Sequence, residues 1–168
     1  HTHPTTDATL ELCAGPGTPA EMIEPVHAAV TKNTYSRIAF RVPQNGIQGR
    51  FCMPYLLARA VIDGKIAVDV FTDEAVRDQK VLRLGEKVEM RFDPNLKGNS
   101  PGGRPCRVTI RLKNGAVYSC EKEHAKGSPE VPLTQEERAA KFTDCACRVL
   151  SSQDAGRARE WIASLETL

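Results

Sequence analysis

Aromatic residues are scarce in this chain, 5% of 168 positions, and no block of basic residues accompanies them. A nucleic-acid surface needs clustered cations and stacking rings together, so no nucleic-acid partner is expected. The formal charge of +2 is nearly neutral and supplies no strong field of one sign. Long apolar runs are also missing. None approaches the roughly 18 to 20 residues that cross a bilayer, which argues against a membrane partner. The six cysteines, at positions 13, 52, 106, 120, 145 and 147, form no zinc pattern: Cys145 and Cys147 have one residue between them, with no second pair or histidine cluster nearby. They read as reduced, structural thiols in a cytoplasmic protein, and no metal is expected. The opening, His1-Thr2-His3-Pro4, has neither a methionine nor a signal-peptide pattern, and it reads as a boundary inside a larger protein.

What is present is an ordinary core-forming composition, 40% hydrophobic and 26% charged, at a length that suits one domain. Residues 49–64, GRFCMPYLLARAVIDG, are the most informative segment. Proline is favoured in the first helical turn and glycine just past a helix end, so a short helix is predicted from about Pro54 to Asp63, closed by Gly64. Arg50 lies just upstream and Tyr55 in the first turn. A cation, a phenol and the positive end of a helix converging there would suit a carboxylate or phosphate.

Elsewhere, Pro4 can open a helix running to about Leu12, with Gly15-Pro16-Gly17 as its stop. Residues 21–31 suit two readings. Glu21 and Met22 favour helix, but Pro25 would interrupt one, and Val26, Ala28 and Val30 alternate as in a strand; strand is the reading adopted. A short helical or irregular stretch follows near 34–40, then an extended piece at Ala67–Phe71 and a helix of about 73–82 capped by Thr72. Residues 86–92 alternate as a strand, and 94–105 form a loop rich in Pro, Gly, Asn and Ser. Val108, Ile110 and Leu112, then Asn114-Gly115, then Val117 predict a hairpin with a two-residue turn. Thr134 and Glu137 form a capping box for a helix to about Leu150, and Asp154 can cap a last helix ending near Leu165. These elements make an α+β domain: a small antiparallel sheet with helices packed on one side, plus C-terminal helices.

Three blocks together resemble the C-terminal part of the MmgE/PrpD family, which includes 2-methylcitrate dehydratases, cis-aconitate decarboxylases and an iminodisuccinate epimerase. His3-Pro4-Thr5-Thr6-Asp7-Ala8 is similar to the family's HPAIDA, and Arg50-Phe51-Cys52-Met53-Pro54-Tyr55 to its KFSLPY. Pro132-Leu133-Thr134 with Lys141-Phe142 is similar to its PLT…KF segment. In this order the blocks cover nearly the whole chain. The resemblance implies a single lid-type domain over 1–168, with a lid core of about 16–133 and a C-terminal helical segment at 134–168. It also implies a large N-terminal helical domain, absent here, as partner, and a dimeric parent protein whose active site lies between the domains. The family's active-site histidine matches His3 and its active-site tyrosine matches Tyr55. Its upstream lysine would precede residue 1. Arg50 stands where the family has lysine, exchanging a point charge for a planar fork. Cys52 stands where it has serine, which weakens any hydrogen bond made there.

Family substrates are small polycarboxylates, and the chemistry moves a proton at carbon beside a carboxylate without a cofactor. Such reactions need cations for the carboxylates, a base, and an acid. The resemblance therefore implies His3 and Tyr55 as proton-transfer groups and Arg50 as a substrate-binding cation, in a lyase acting on a citrate-like or aconitate-like acid. Each has a plainer reading: a frayed chain end for His3, a core aromatic for Tyr55, a solvated cation for Arg50. His27 and His124 read as structural, Asp7 as a helix-dipole partner, and Lys122 with Lys126 as a solvated edge. Epimerase or isomerase chemistry would use the same groups, and a non-catalytic binding or assembly module is the alternative outside enzymes. The isolated chain is expected to fold with little or no turnover.

Overall fold

Residues 1–15, 18–98 and 102–165 are described by the computed structural model. They fall into two compact units, His1–Lys126 and Gly127–Leu168. In the first, Pro4 occupies the opening turn of α1 (His3–Ala14), where its missing N–H leaves nothing unsatisfied. A 3-10 turn at Ala20–Met22 leads into β1 (Ile23–Val30), where Ile23, Val26, Ala28 and Val30 are buried. The strand reading of this segment holds because Pro25 falls where the register against its neighbour shifts, between Ile23 and Val26, and so forfeits no ladder bond at a regular position. Two short helices follow, α2 (Lys32–Arg37), capped by the Thr31 hydroxyl, and α3 (Gly46–Gly49), capped by the Asn45 side chain. Then come α4 (Met53–Asp63) and α5 (Gln79–Gly85).

The sheet has strand order β2-β1-β3-β4, with β2 at Val88–Phe92, β3 at Cys106–Leu112 and β4 at Val117–Lys122. β1–β3 and β3–β4 pair antiparallel, but β1 and β2 run parallel, Val26 opposite Val88 and Val30 opposite Phe92. The α+β class stands, and the sheet is mixed rather than purely antiparallel. The helices between residues 31 and 87 form a crossover that carries the chain from the end of β1 back to the end of the sheet where β1 began, so the next strand must run the same way. One face of the sheet carries Val26, Ala28, Val30, Val108 and Ile110 into the core, under α1 and α4. The other face is polar: Thr109 bonds Ser119 at 3.1 Å, and Arg107 pairs with Glu121 across β3 and β4.

Three local expectations are corrected. Ala67–Phe71 is not a strand: after the extended Ala67, Val68–Phe71 forms a 3-10 turn that pairs with no strand of the sheet. The single helix expected at 73–82 is split. Thr72 does accept from the Ala75 amide at 3.0 Å, but a 3-10 turn, Ala75–Arg77, then gives way to Asp78, whose extended ψ breaks the helix and whose carboxylate recaps α5. The hairpin loop has three residues, not two: Leu112 and Ala116 pair, the Gly115 amide bonds the Leu112 carbonyl, and Gly115 takes φ 86°, the glycine-bulge form of a type I turn. The predicted stop at Gly15-Pro16-Gly17 and the predicted loop 94–105 lie partly outside the described residues.

In the second unit, Thr134 and Glu137 form the predicted capping box of α6, which spans Gln135–Ala146 and ends four residues before the expected Leu150. The cap of α7 (Ser152–Ser164) is Ser151, whose hydroxyl accepts from the Asp154 amide at 3.1 Å; Asp154 sits in the first turn instead of capping it. Among the described residues no helix is long and apolar enough to cross a membrane.

Candidate active site

Helix α4 is buried through its first eight residues, Met53 to Ala60, because it lies between the sheet and its helical neighbours α1 and α5. Tyr55 in its first turn is 1% exposed. Its hydroxyl donates to the Val70 carbonyl in the 3-10 turn and accepts from Arg59 Nε at 3.1 Å, one helical turn along α4. The Arg59 guanidinium also lies over the Tyr55 ring, 5.5 Å from its centroid. Arg59 is itself buried, at 9% exposure, and each of its nitrogens has a partner. Nη2 donates to the Ala75 carbonyl at 2.7 Å, and Nη1 lies 3.3 Å from Asp63 and 3.5 Å from Asp78. The break at Asp78 is what turns that carboxylate and the Ala75 carbonyl toward α4. Burial pushes the Tyr55 phenol above its ordinary 10.0, and the Arg59 guanidinium pulls it back down. A cavity of about 470 Å³ abuts this network, and its wall includes Arg59, Asp63, Lys65 and Val70.

Arg50 is exposed and follows α3, its guanidinium 5.6 Å from the centroid of the Phe71 ring. The expected convergence of Arg50 with the Tyr55 hydroxyl at the α4 N-terminus is not found: the hydroxyl turns toward Val70 and Arg59. Cys52, the residue before α4, is wholly buried and donates its thiol to the Arg41 carbonyl at 3.3 Å. The substitution for serine therefore leaves a bond in place, with a weaker donor. Burial pushes this thiol up to about 11.

His3 opens α1 and is exposed. One turn on, Asp7 accepts from the Lys126 amide at 2.7 Å, and a further turn on, Glu11 pairs with Lys122 and accepts from the Cys120 thiol. Burial raises the Asp7 carboxyl above its ordinary value, offset by the Lys126 amide and by the charges of His3, Lys122 and Lys126. Asp7 and Lys122 thus tie α1 to β4 and the segment after it. Among the described residues, no hydrogen bond, ion pair or ring contact joins His3, Arg50 and Tyr55 to one another, and no cluster of three or more His, Cys, Asp or Glu suits a metal ion. Sequence reasoning missed Arg59. Its signal was a lone cation inside an apolar helix, four residues after Tyr55 and four before Asp63.

A family model for the MmgE/PrpD C-terminal domain matches residues 1–167. This chain belongs to the MmgE/PrpD family. Among characterised relatives, cis-aconitate decarboxylase of Homo sapiens is 25% identical over 152 residues, covering 89% of this chain and 31% of that protein. Cis-aconitate decarboxylase of Mus musculus is 27% identical over 134 residues, covering 79% of this chain and 26% of that protein. The chain therefore spans less than a third of the length of these relatives. Membership covers all three matching blocks, so His3, Arg50 and Tyr55 each stand within the C-terminal domain of the MmgE/PrpD type.

Proposed function

We propose that this MmgE/PrpD domain serves as one lid of a cofactor-independent lyase acting on a small polycarboxylate, by dehydration of a 2-methylcitrate- or citrate-like acid or decarboxylation of a cis-aconitate-like acid. The observation that carries this reading is the match of the MmgE/PrpD C-terminal model to essentially the whole chain, with cis-aconitate decarboxylases among its relatives. The missing wall of the cleft would come from an N-terminal helical domain, and the complete protein would be a homodimer.

In this reading His3 and Tyr55 exchange protons with the substrate and Arg50 holds a carboxylate. The chemistry of the residues supports these roles. His3, exposed at the start of α1, is open to a substrate, and an imidazole can both give and take a proton. Tyr55 is a phenol whose proton already rests on an acceptor and whose oxygen faces a guanidinium, an arrangement suited to proton exchange. The cavity next to this network is lined by Lys65 as well as by Asp63, Asp69 and the partnered Arg59. The test is turnover of a panel of polycarboxylates by the protein joined to its helical domain, with product analysis separating loss of CO₂, loss of water and inversion of configuration. Measurable turnover by this chain alone would contradict the two-walled cleft.

A further inference from the structure

The Tyr55–Arg59 contact is costly to build. A guanidinium at 9% exposure has lost most of its water, and α4 is otherwise apolar through that stretch. A solvated lysine or an alanine would have served a purely structural helix. Instead Arg59 uses Nε on the phenol oxygen, Nη2 on the Ala75 carbonyl, and Nη1 between Asp63 and Asp78. The two carboxylates and the carbonyl hold the planar fork from three sides, so the Nε–H is aimed at Tyr55 Oη and has no rotational freedom to leave it.

We infer that Arg59 is a positioning residue for Tyr55, fixing the direction of the phenol proton and stabilising the phenolate that remains when the proton departs. With Arg59 Nε–H on one lone pair of Oη, the hydroxyl proton is directed to the carbonyl of Val70, a residue of the adjacent cavity's wall. When a substrate group replaces that carbonyl, the Tyr55 O–H bond breaks and its proton goes to the substrate carbon or departing oxygen. The electron pair stays on Oη beside the guanidinium, and water later returns the proton. The charged groups that face Oη are Arg59 and Asp63 from α4 and Asp78 from the start of α5; Arg59 favours the phenolate and the two acids oppose it. This inference rests on the reading of Tyr55 as a proton-transfer group.

The test needs no substrate. The 168-residue chain is prepared with a ring-fluorinated tyrosine at position 55, a more acidic phenol that ionises where the chain stays folded, and its ionisation is followed by fluorine NMR. Arg59→Met should raise the phenol midpoint by about one pH unit, a tenfold loss of acidity, and Arg59→Lys should recover part of it. An unchanged midpoint in a folded Arg59→Met chain overturns the inference. Should Arg59→Met fail to fold, the Arg59 Nε–H resonance of the chain with its native arginine decides. It should shift with the same midpoint as the phenol, and a resonance that stays flat through the transition overturns the inference. In the assembled enzyme, Arg59→Lys should move the acidity governing kcat. Full turnover by Tyr55→Phe would instead defeat the proton-transfer reading, an outcome separable from the titration.

Discussion

Arg59 joins the stability of the first unit to its chemistry. Its removal leaves the Tyr55 oxygen without its donor and two carboxylates without their shared cation, so Arg59→Met should destabilise the chain by about 2–3 kcal/mol, read by urea unfolding. The cysteines separate by the same physics. Burial pushes Cys52 and Cys106 to about 11 from an ordinary 9.0, roughly a hundredfold less thiolate at a given pH. Alkylation at pH 8 followed by mass mapping should label the exposed Cys145 and Cys147 first and leave Cys52 and Cys106 unlabelled in the folded chain. Asp7 gives a pH signature. Its folded carboxyl titrates above the 3.8 of an unfolded chain, so the folded state binds more protons between those two values. Its contribution is favourable at low pH and is lost as pH rises through the folded value. Asp7→Asn should thus raise the melting temperature more at pH 7 than at pH 3. An equal change at both would show that the ionisation does not matter. At this scale Tyr55 stood out in the sequence because a motif surrounds it. Arg59 did not, because two of its four partners, Ala75 and Asp78, are brought to it only by the folded break at Asp78.

At the scale of elements, signals carried by neighbouring residues were legible and those decided by distant partners were not. The capping box at Thr134 and Glu137, the proline opening of α4 and the alternation of β1 and β3 all act within a few residues, and each appears as read. The parallel pairing of β2 depends on where four intervening helices deliver the chain, and the 3-10 turn at Val68–Phe71 on its lack of a strand partner. Gly46 shows how closely that turn is approached: a Cβ there would lie 1.8 Å from the Phe71 carbonyl oxygen. Gly46→Ala should therefore lower the melting temperature and weaken the Tyr55–Val70 contact next door, readable as greater accessibility of the Tyr55 ring. Thr134→Ala loses the cap of α6 and should cost about 1 kcal/mol, seen as faster exchange of the Glu137 amide.

For the whole molecule, the candidate site was only partly legible. The three blocks named the family, yet His3 and Arg50 come out exposed and Tyr55 buried, with no hydrogen bond, ion pair or ring contact among them in the described residues. Tyr55 is turned inward because its hydroxyl finds Val70, fifteen residues on and outside the motif, whereas in the proposed two-walled cleft the exposed His3 and Arg50 would face a second domain. In the proposed function this domain completes a lyase site whose proton donor is Tyr55. The most direct measurement is turnover of cis-aconitate and 2-methylcitrate, without added cofactor, by the chain joined to its helical domain and by its Tyr55→Phe variant. Release of CO₂ or water by the joined protein is expected, with at least a roughly hundredfold lower kcat in the variant, in line with loss of a general acid. Turnover that is unaffected by Tyr55→Phe would contradict it, as would no turnover of any polycarboxylate.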